Sequence, residues 1–166
     1  MTTWTNSDGL PIEFGTTQAG ASTGGHVMKA GDAVELVVDI DLTTLADASA
    51  TVGFVDEHEL PEGAIIRSAK LIVLTAAAGA TAVLDVGVID ASADSSGTSD
   101  DDGLDAAVAV AALTPAGTEI TCDGALINTV LDAHYKIAAS YDTAAFTAGK
   151  VRLIVEYTPT LNRENQ

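Results

Sequence analysis

The sequence predicts an all-β protein, an antiparallel β-sandwich of jelly-roll-like form with an extended N-terminal arm and at most one short helix. Three observations predict it. In residues 34–42, VELVVDIDL, Val34, Leu36, Val38, Ile40 and Leu42 alternate with Glu35, Val37, Asp39 and Asp41, the period of a strand with one face in a core. Residues 60–75, LPEGAIIRSAKLIVLT, join a Pro61-Glu62-Gly63 turn to a long branched run. Ile66, Ile72 and Leu74 fall on one face of that run and Ile65, Leu71 and Val73 on the other, so it is expected as a central strand covered on both sides. Seven or eight such short segments are divided by turn residues and none repeats at a fixed period, which favours a sandwich, jelly roll or barrel over a propeller or solenoid.

Taken in order, residues 1–32 mix Gly, Ser and Thr with the isolated large side chains Trp4, Leu10, Ile12 and Phe14. They make no core of their own and read as an arm, with a glycine-rich hinge at 20–25; the other reading is a frayed terminus whose Trp4 tucks against its own domain. The folded domain is placed at 33–158. After the strand at 34–42, residues 51–55 read as a short strand and 56–59 as an acidic loop holding His58. The central strand ends in a turn at 76–80, and residues 81–90 return as a strand, for which a hairpin with the central strand is the economical pairing. Residues 90–103 read as the longest loop. Residues 104–117 are ambiguous, since alanine favours helix and the alternation of Val108 and Val110 favours strand; a short helix is preferred. Residues 119–121, 125–130 and 135–141 are further strand segments, the last with Tyr135 and Tyr141 as core-edge aromatics. A turn at 146–150 leads to the closing strand 151–157, and Pro159 starts a polar tail, 159–166.

Composition narrows the function. A chain of 166 residues makes one domain with room for a core. Its net charge is −17, from 24 acids against seven Lys and Arg, which opposes phosphate-backbone binding and suits a solvated, self-repelling surface. No nucleic acid partner is expected. The N-terminus lacks a basic and apolar leader, and no apolar run approaches the roughly 18 residues of a membrane span, so no membrane partner is expected and synthesis in a cytoplasm is. Cys122 is the only cysteine, which excludes an intrachain disulfide and a cysteine metal cluster; it reads as a buried small hydrophobe.

No catalytic motif appears. There is no G-x-S-x-G elbow, H-E-x-x-H or phosphate-binding loop, and His26, His58 and His134 are far apart. Only seven aromatic side chains are available to line a sugar cleft. The run Asp100-Asp101-Asp102-Gly103 invites calcium, yet the EF-hand spacing fails, with Thr98 at the first ligand position and Ala109 at the place of the bidentate glutamate. No cofactor, no metal and no enzymatic activity are expected.

One further pattern is carried by short motifs along most of the chain: W-x-x-x-D-G-L followed by Phe14-Gly15, the strand V-D-I-D-L, the turn and strand L-P-E-G-A-I-I, and the closing F-T-A-G-K-V-R-L-I-V-E-Y. Together they resemble the decoration, or cement, proteins of tailed-bacteriophage capsids. The resemblance implies a β-rich homotrimer on the outer surface of the virion, at three-fold and quasi-three-fold positions. There it would clamp the major capsid protein lattice, with Trp4, Leu10, Ile12 and Phe14 as candidate capsid or subunit contacts. Two alternatives stay open: a receptor- or glycan-binding module of a head fibre or tail, with calcium in the 90–103 loop, and a ring-forming head-to-tail connector or tail-tube component.

Overall fold

The computed structural model describes residues 2–5, 11–14, 33–47, 54–91 and 97–159, with the backbone alone for 2–5, 11–14 and 54–58. Among the described residues run ten strands: β1 (Thr2–Thr5), β2 (Pro11–Phe14), β3 (Val34–Asp41), β4 (Phe54–Leu60), β5 (Ile65–Ala78), β6 (Val83–Asp90), β7 (Asp100–Ala109), β8 (Glu119–Thr121), β9 (Tyr135–Asp142) and β10 (Ala148–Thr158). β1 and β2 pair with each other. The remaining eight form two four-stranded sheets, β3-β10-β5-β8 and β4-β9-β6-β7, and every pairing is antiparallel. From β3 onward each strand is followed by one in the opposite sheet, except that β7 lies beside β6. This is the eight-stranded jelly roll, so the expected all-β sandwich is the observed architecture.

Alternation explains which face each strand buries. On β10, Val151, Leu153 and Val155 are fully buried, while Arg152 and Ile154 point outward and stay half-covered. Val38 and Ile40 of β3 and Ala69, Leu71 and Val73 of β5 continue that inner layer, and Leu84, Val86, Val88, Ile137 and Ala139 oppose it from the second sheet. Leu113, Leu131 and Phe146 enter the same core from connections. Each branched side chain removed from water contributes roughly 1.5–3 kcal/mol, so this layer is the principal source of stability. The predicted turn before β5 is present: Gly63 has φ 77, and its N–H donates to the Leu131 carbonyl at 2.7 Å.

Several sequence expectations are corrected. β5 is central, between β10 and β8, but it is buried on one face only. Glu156 opposes Ser68 while Tyr157 opposes Ile66, so Arg67 is an extra residue that turns Ile66 to the side of Leu71 and Val73. Ile72 and Leu74 are left on the outer face. β5 and β6 make no hairpin, because each has an apolar face to cover and the chain between them crosses to the opposite sheet, stacking those faces. Residues 104–117 form no helix. β7 begins at Asp100 and runs through the first part of that segment, then gives way to turns. A ladder with β6 and the burial of Leu104 and Val108 outweigh the small helix preference of alanine. The long loop therefore ends at Ser99. The acidic residues 56–59 lie in β4, and 125–130 form turns with a single bridge from Val130 to Ile65.

Candidate interaction surface

The outer face of the first sheet is built from the outward positions of β3, β10, β5 and β8. Register lays these in rows across the strands: Asp41, Lys150 and Thr75; then Asp39, Arg152, Ile72 and Glu119; then Val37, Ile154, Lys70 and Thr121; then Glu35, Glu156 and Ser68. Opposite charges meet within the rows. Arg152 grips Asp39 with both ends of its guanidinium, Nε to Oδ1 at 2.6 Å and Nη2 to Oδ2 at 2.8 Å. Lys150 Nζ lies 3.0 Å from Asp41 Oδ2 and Lys70 Nζ 3.5 Å from Glu119 Oε2. The Arg152 hydrogen bonds hold the Asp39 carboxyl below the usual carboxylate range. Asp41 is lowered too, first by the Thr43 hydroxyl and then by Lys150. Asp41 also caps the 3-10 turn Leu42–Thr44, accepting from the Thr43 N–H at 3.1 Å.

Between the ion pairs runs an apolar strip. Val37 is 48% exposed and Leu74 40% exposed, with Ile154 and Ile72 half-buried between them. Glu35, Ser68, Lys70, Ile154 and Glu156 surround a shallow open depression at its edge. Of the five Lys and Arg among the described residues, Lys70, Lys150 and Arg152 stand on this face, and Arg67 is exposed at the β5 bulge beside it.

The second sheet and β7 carry the opposite character. β7 crosses β6 so closely that a Cβ on Gly87 would sit 2.0 Å from the Asp100 carbonyl oxygen. Further along, Ala107 takes φ 56 and donates its N–H to Asp85 Oδ1 at 2.8 Å. This packing crowds carboxylates. Burial raises the pKa of Asp85, reinforced by the charges of Asp102, Asp142 and Asp101. Burial also raises Asp100, together with its hydrogen bond to Asp102. Asp105, only 6% exposed, is raised by burial and by Asp123. Its neighbour Cys122 is buried, and burial with the Asp105 charge pushes the thiol up to about 12.

The sequence-based candidates fall unevenly on this structure. Trp4 stands opposite Ile12 and Thr2 opposite Phe14 in the β1–β2 pair, so Trp4, Ile12 and Phe14 occupy register positions of one face of that ribbon. Leu10 lies outside the described residues. The 90–103 segment contributes Asp100–Gly103 to β7, and its residues 92–96 are outside the description. Among the described residues no three His, Cys, Asp or Glu side chains are placed to hold a metal ion. The outer face of the first sheet was missed as a candidate. Its signal was present in part, since Asp39, Asp41 and Arg152 alternate with core residues, but their pairing joins positions 113 residues apart.

No protein-family model matches the chain, and no curated protein matches it. Solved structures do. A chain from the capsid asymmetric unit of cyanophage Pam1 is 24% identical, with a TM-score of 0.54 over 89% of this chain and 98% of that one. A chain from the capsid of Ralstonia phage GP4 is 24% identical, with a TM-score of 0.50 over 85% of this chain and 93% of that one. The likeness is one of fold, and it takes in nearly the whole of both neighbours.

Proposed function

We propose that the chain is a non-enzymatic structural protein of a tailed-phage particle, a decoration or cement protein seated on the outer surface of the capsid. One observation carries this reading: a single jelly roll matches, over 85–89% of this chain and 93–98% of theirs, chains that are found in two phage capsids. It sits there as a homotrimer at three-fold and quasi-three-fold positions and reinforces the lattice of the major capsid protein. Residues 1–32 act as an arm, and Trp4, Leu10, Ile12 and Phe14 supply its apolar contacts to the shell or to a neighbouring subunit. Three copies on one axis turn individually weak contacts into firm attachment. The acidic surface keeps finished particles apart in solution.

The test uses heads of the source phage produced without this protein. Adding the purified chain should saturate them at a stoichiometry set by the three-fold positions and raise the temperature at which they release DNA. Light scattering across a dilution series should give the mass of three 16.8 kDa chains. Heads that neither bind the protein nor gain stability would end the decoration reading.

A further inference from the structure

We propose that the seam where the 122–126 connection crosses from the first sheet to β7 is a pH-responsive clasp, closed when the Asp105 carboxyl carries a proton and loosened when it is ionised. The clasp is a property of the fold and does not depend on the decoration reading. Three backbone hydrogen bonds build the seam. The Cys122 N–H donates to the Ala69 carbonyl of β5 at 3.0 Å, and the Gly124 and Leu126 N–H groups donate to the Leu104 and Gly103 carbonyls of β7 at 2.8 and 2.9 Å. One short connection thus ties the two sheets together. The contact is close, since a Cβ on Gly124 would lie 2.3 Å from the Gly103 carbonyl oxygen. β7 leans on it, because β7 is an edge strand whose ladder to β6 shifts register between Leu84 and Val86 and again between Val86 and Val88.

Asp105 follows Gly103 and Leu104 into this seam, and among the described residues it is the one charged side chain that is buried, at 6% exposure. The Cys122 thiol and the Ala106 N–H donate to its carboxylate. Among the described residues no ion pair neutralises it. The charges that act on it are negative, Asp123 from the connection and Asp85 from β6, and Asp85 is itself crowded by Asp101 and Asp102 of β7 and Asp142 of β9. The cations of neighbouring strands are engaged elsewhere, Lys70 of β5 with Glu119 at 3.5 Å and Lys136 of β9 with Glu59 at 3.9 Å. His134 stands at the end of β6, where its carbonyl accepts from the Ala91 N–H. A buried charge without a counter-ion is costly, and the cost is relieved either by a proton or by water. Acid supplies the proton, whereas at neutral pH water reaches the carboxylate only if β7 parts from the connection. Burial first, and then Asp123, raises the folded pKa of Asp105, so the closed seam holds a proton that the open seam releases. Closure is therefore strongest below the ordinary carboxylate value and weakens as pH rises through the raised one.

The test is hydrogen exchange of single amides, read by NMR on the full chain between pH 4 and pH 7 and corrected for the intrinsic pH dependence of exchange. In wild type the Gly124 and Leu126 amides should lose about ten-fold or more of their protection across this range, the effect of one pH unit between the closed and open carboxyl, and the amides of β10 should lose less. Asp105→Asn removes the charge at nearly constant shape and should keep the seam amides at their acid protection throughout. Asp123→Asn changes an exposed side chain; it should shrink the loss and end it at a lower pH. Seam protection that is independent of pH, or that falls only in step with β10, overturns the clasp. A folded Asp105→Asn chain that still loses protection overturns the part given to Asp105. If that chain does not fold, Asp123→Asn decides, and a loss identical to wild type overturns the proposal.

Discussion

The Cys122 thiol sits against the Asp105 carboxylate, and with its pKa pushed up to about 12 only on the order of one chain in ten thousand carries thiolate at pH 8. Ellman's reagent should leave the native protein unlabelled and titrate one thiol per chain in urea. Rapid native labelling would show that the thiol is not buried as described. Gly87 makes a steric demand of a different kind. Nothing in the sequence VLDVGVID sets this glycine apart, because the need for it comes from β7 passing over β6 at the Asp100 carbonyl. A Gly87→Ala chain must move that crossing and should lose about 1–3 kcal/mol, as overpacked sites do. For a chain of this length that is a fall of roughly 2–12 °C in melting temperature. An unchanged melting curve would mean that the crossing yields without cost. Cys122 as a buried hydrophobe was legible from residue type alone, whereas its carboxylate neighbour was not.

The strands differ in how openly the sequence declares them. β3 and β10 alternate cleanly because one face meets the core and the other meets water, and both were legible with boundaries close to those observed. β7 was not, since DDDGLDAAVA reads locally as an acidic loop running into an alanine helix; its strand state depends on the ladder to β6, whose register shifts at two irregularities. The same folding-over makes β7 sensitive to pH. Asp85, Asp100 and Asp105 have raised folded pKa values, so the folded state holds protons that the unfolded chain releases. Their favourable contribution is complete below the ordinary carboxylate value and is lost as pH rises through the raised values. Asp39 and Asp41 are lowered and act in the other sense, contributing above the ordinary value and failing as pH falls through their own. Asp100→Asn should therefore raise the melting temperature at pH 7 and leave it unchanged near pH 3, where wild-type Asp100 is already neutral. A variant less stable at pH 7 would indicate that ionised Asp100 is held by favourable contacts.

For the whole molecule, the sequence foretold the class of fold but not the pairing of its two sheets. Strand order depends on which apolar faces stack and which edges meet, and turn residues do not encode that. β1 and β2 form a two-stranded sheet of their own, and the two four-stranded sheets of the jelly roll are complete without them. Removing residues 1–14 should consequently leave a folded domain, with a melting temperature within about 4 °C of the full chain, the shift that roughly 1 kcal/mol produces at this size. Attachment should respond differently. If residues 1–14 supply one of several contacts to the shell, losing them removes the gain in effective concentration that links those contacts, and binding to heads should weaken by about 10²-fold or more. Measured together, melting and head binding separate the roles: unchanged melting with lost binding makes β1–β2 an attachment device, whereas a large fall in melting temperature makes it part of the folded domain and moves Trp4, Ile12 and Phe14 from the contact surface to the core.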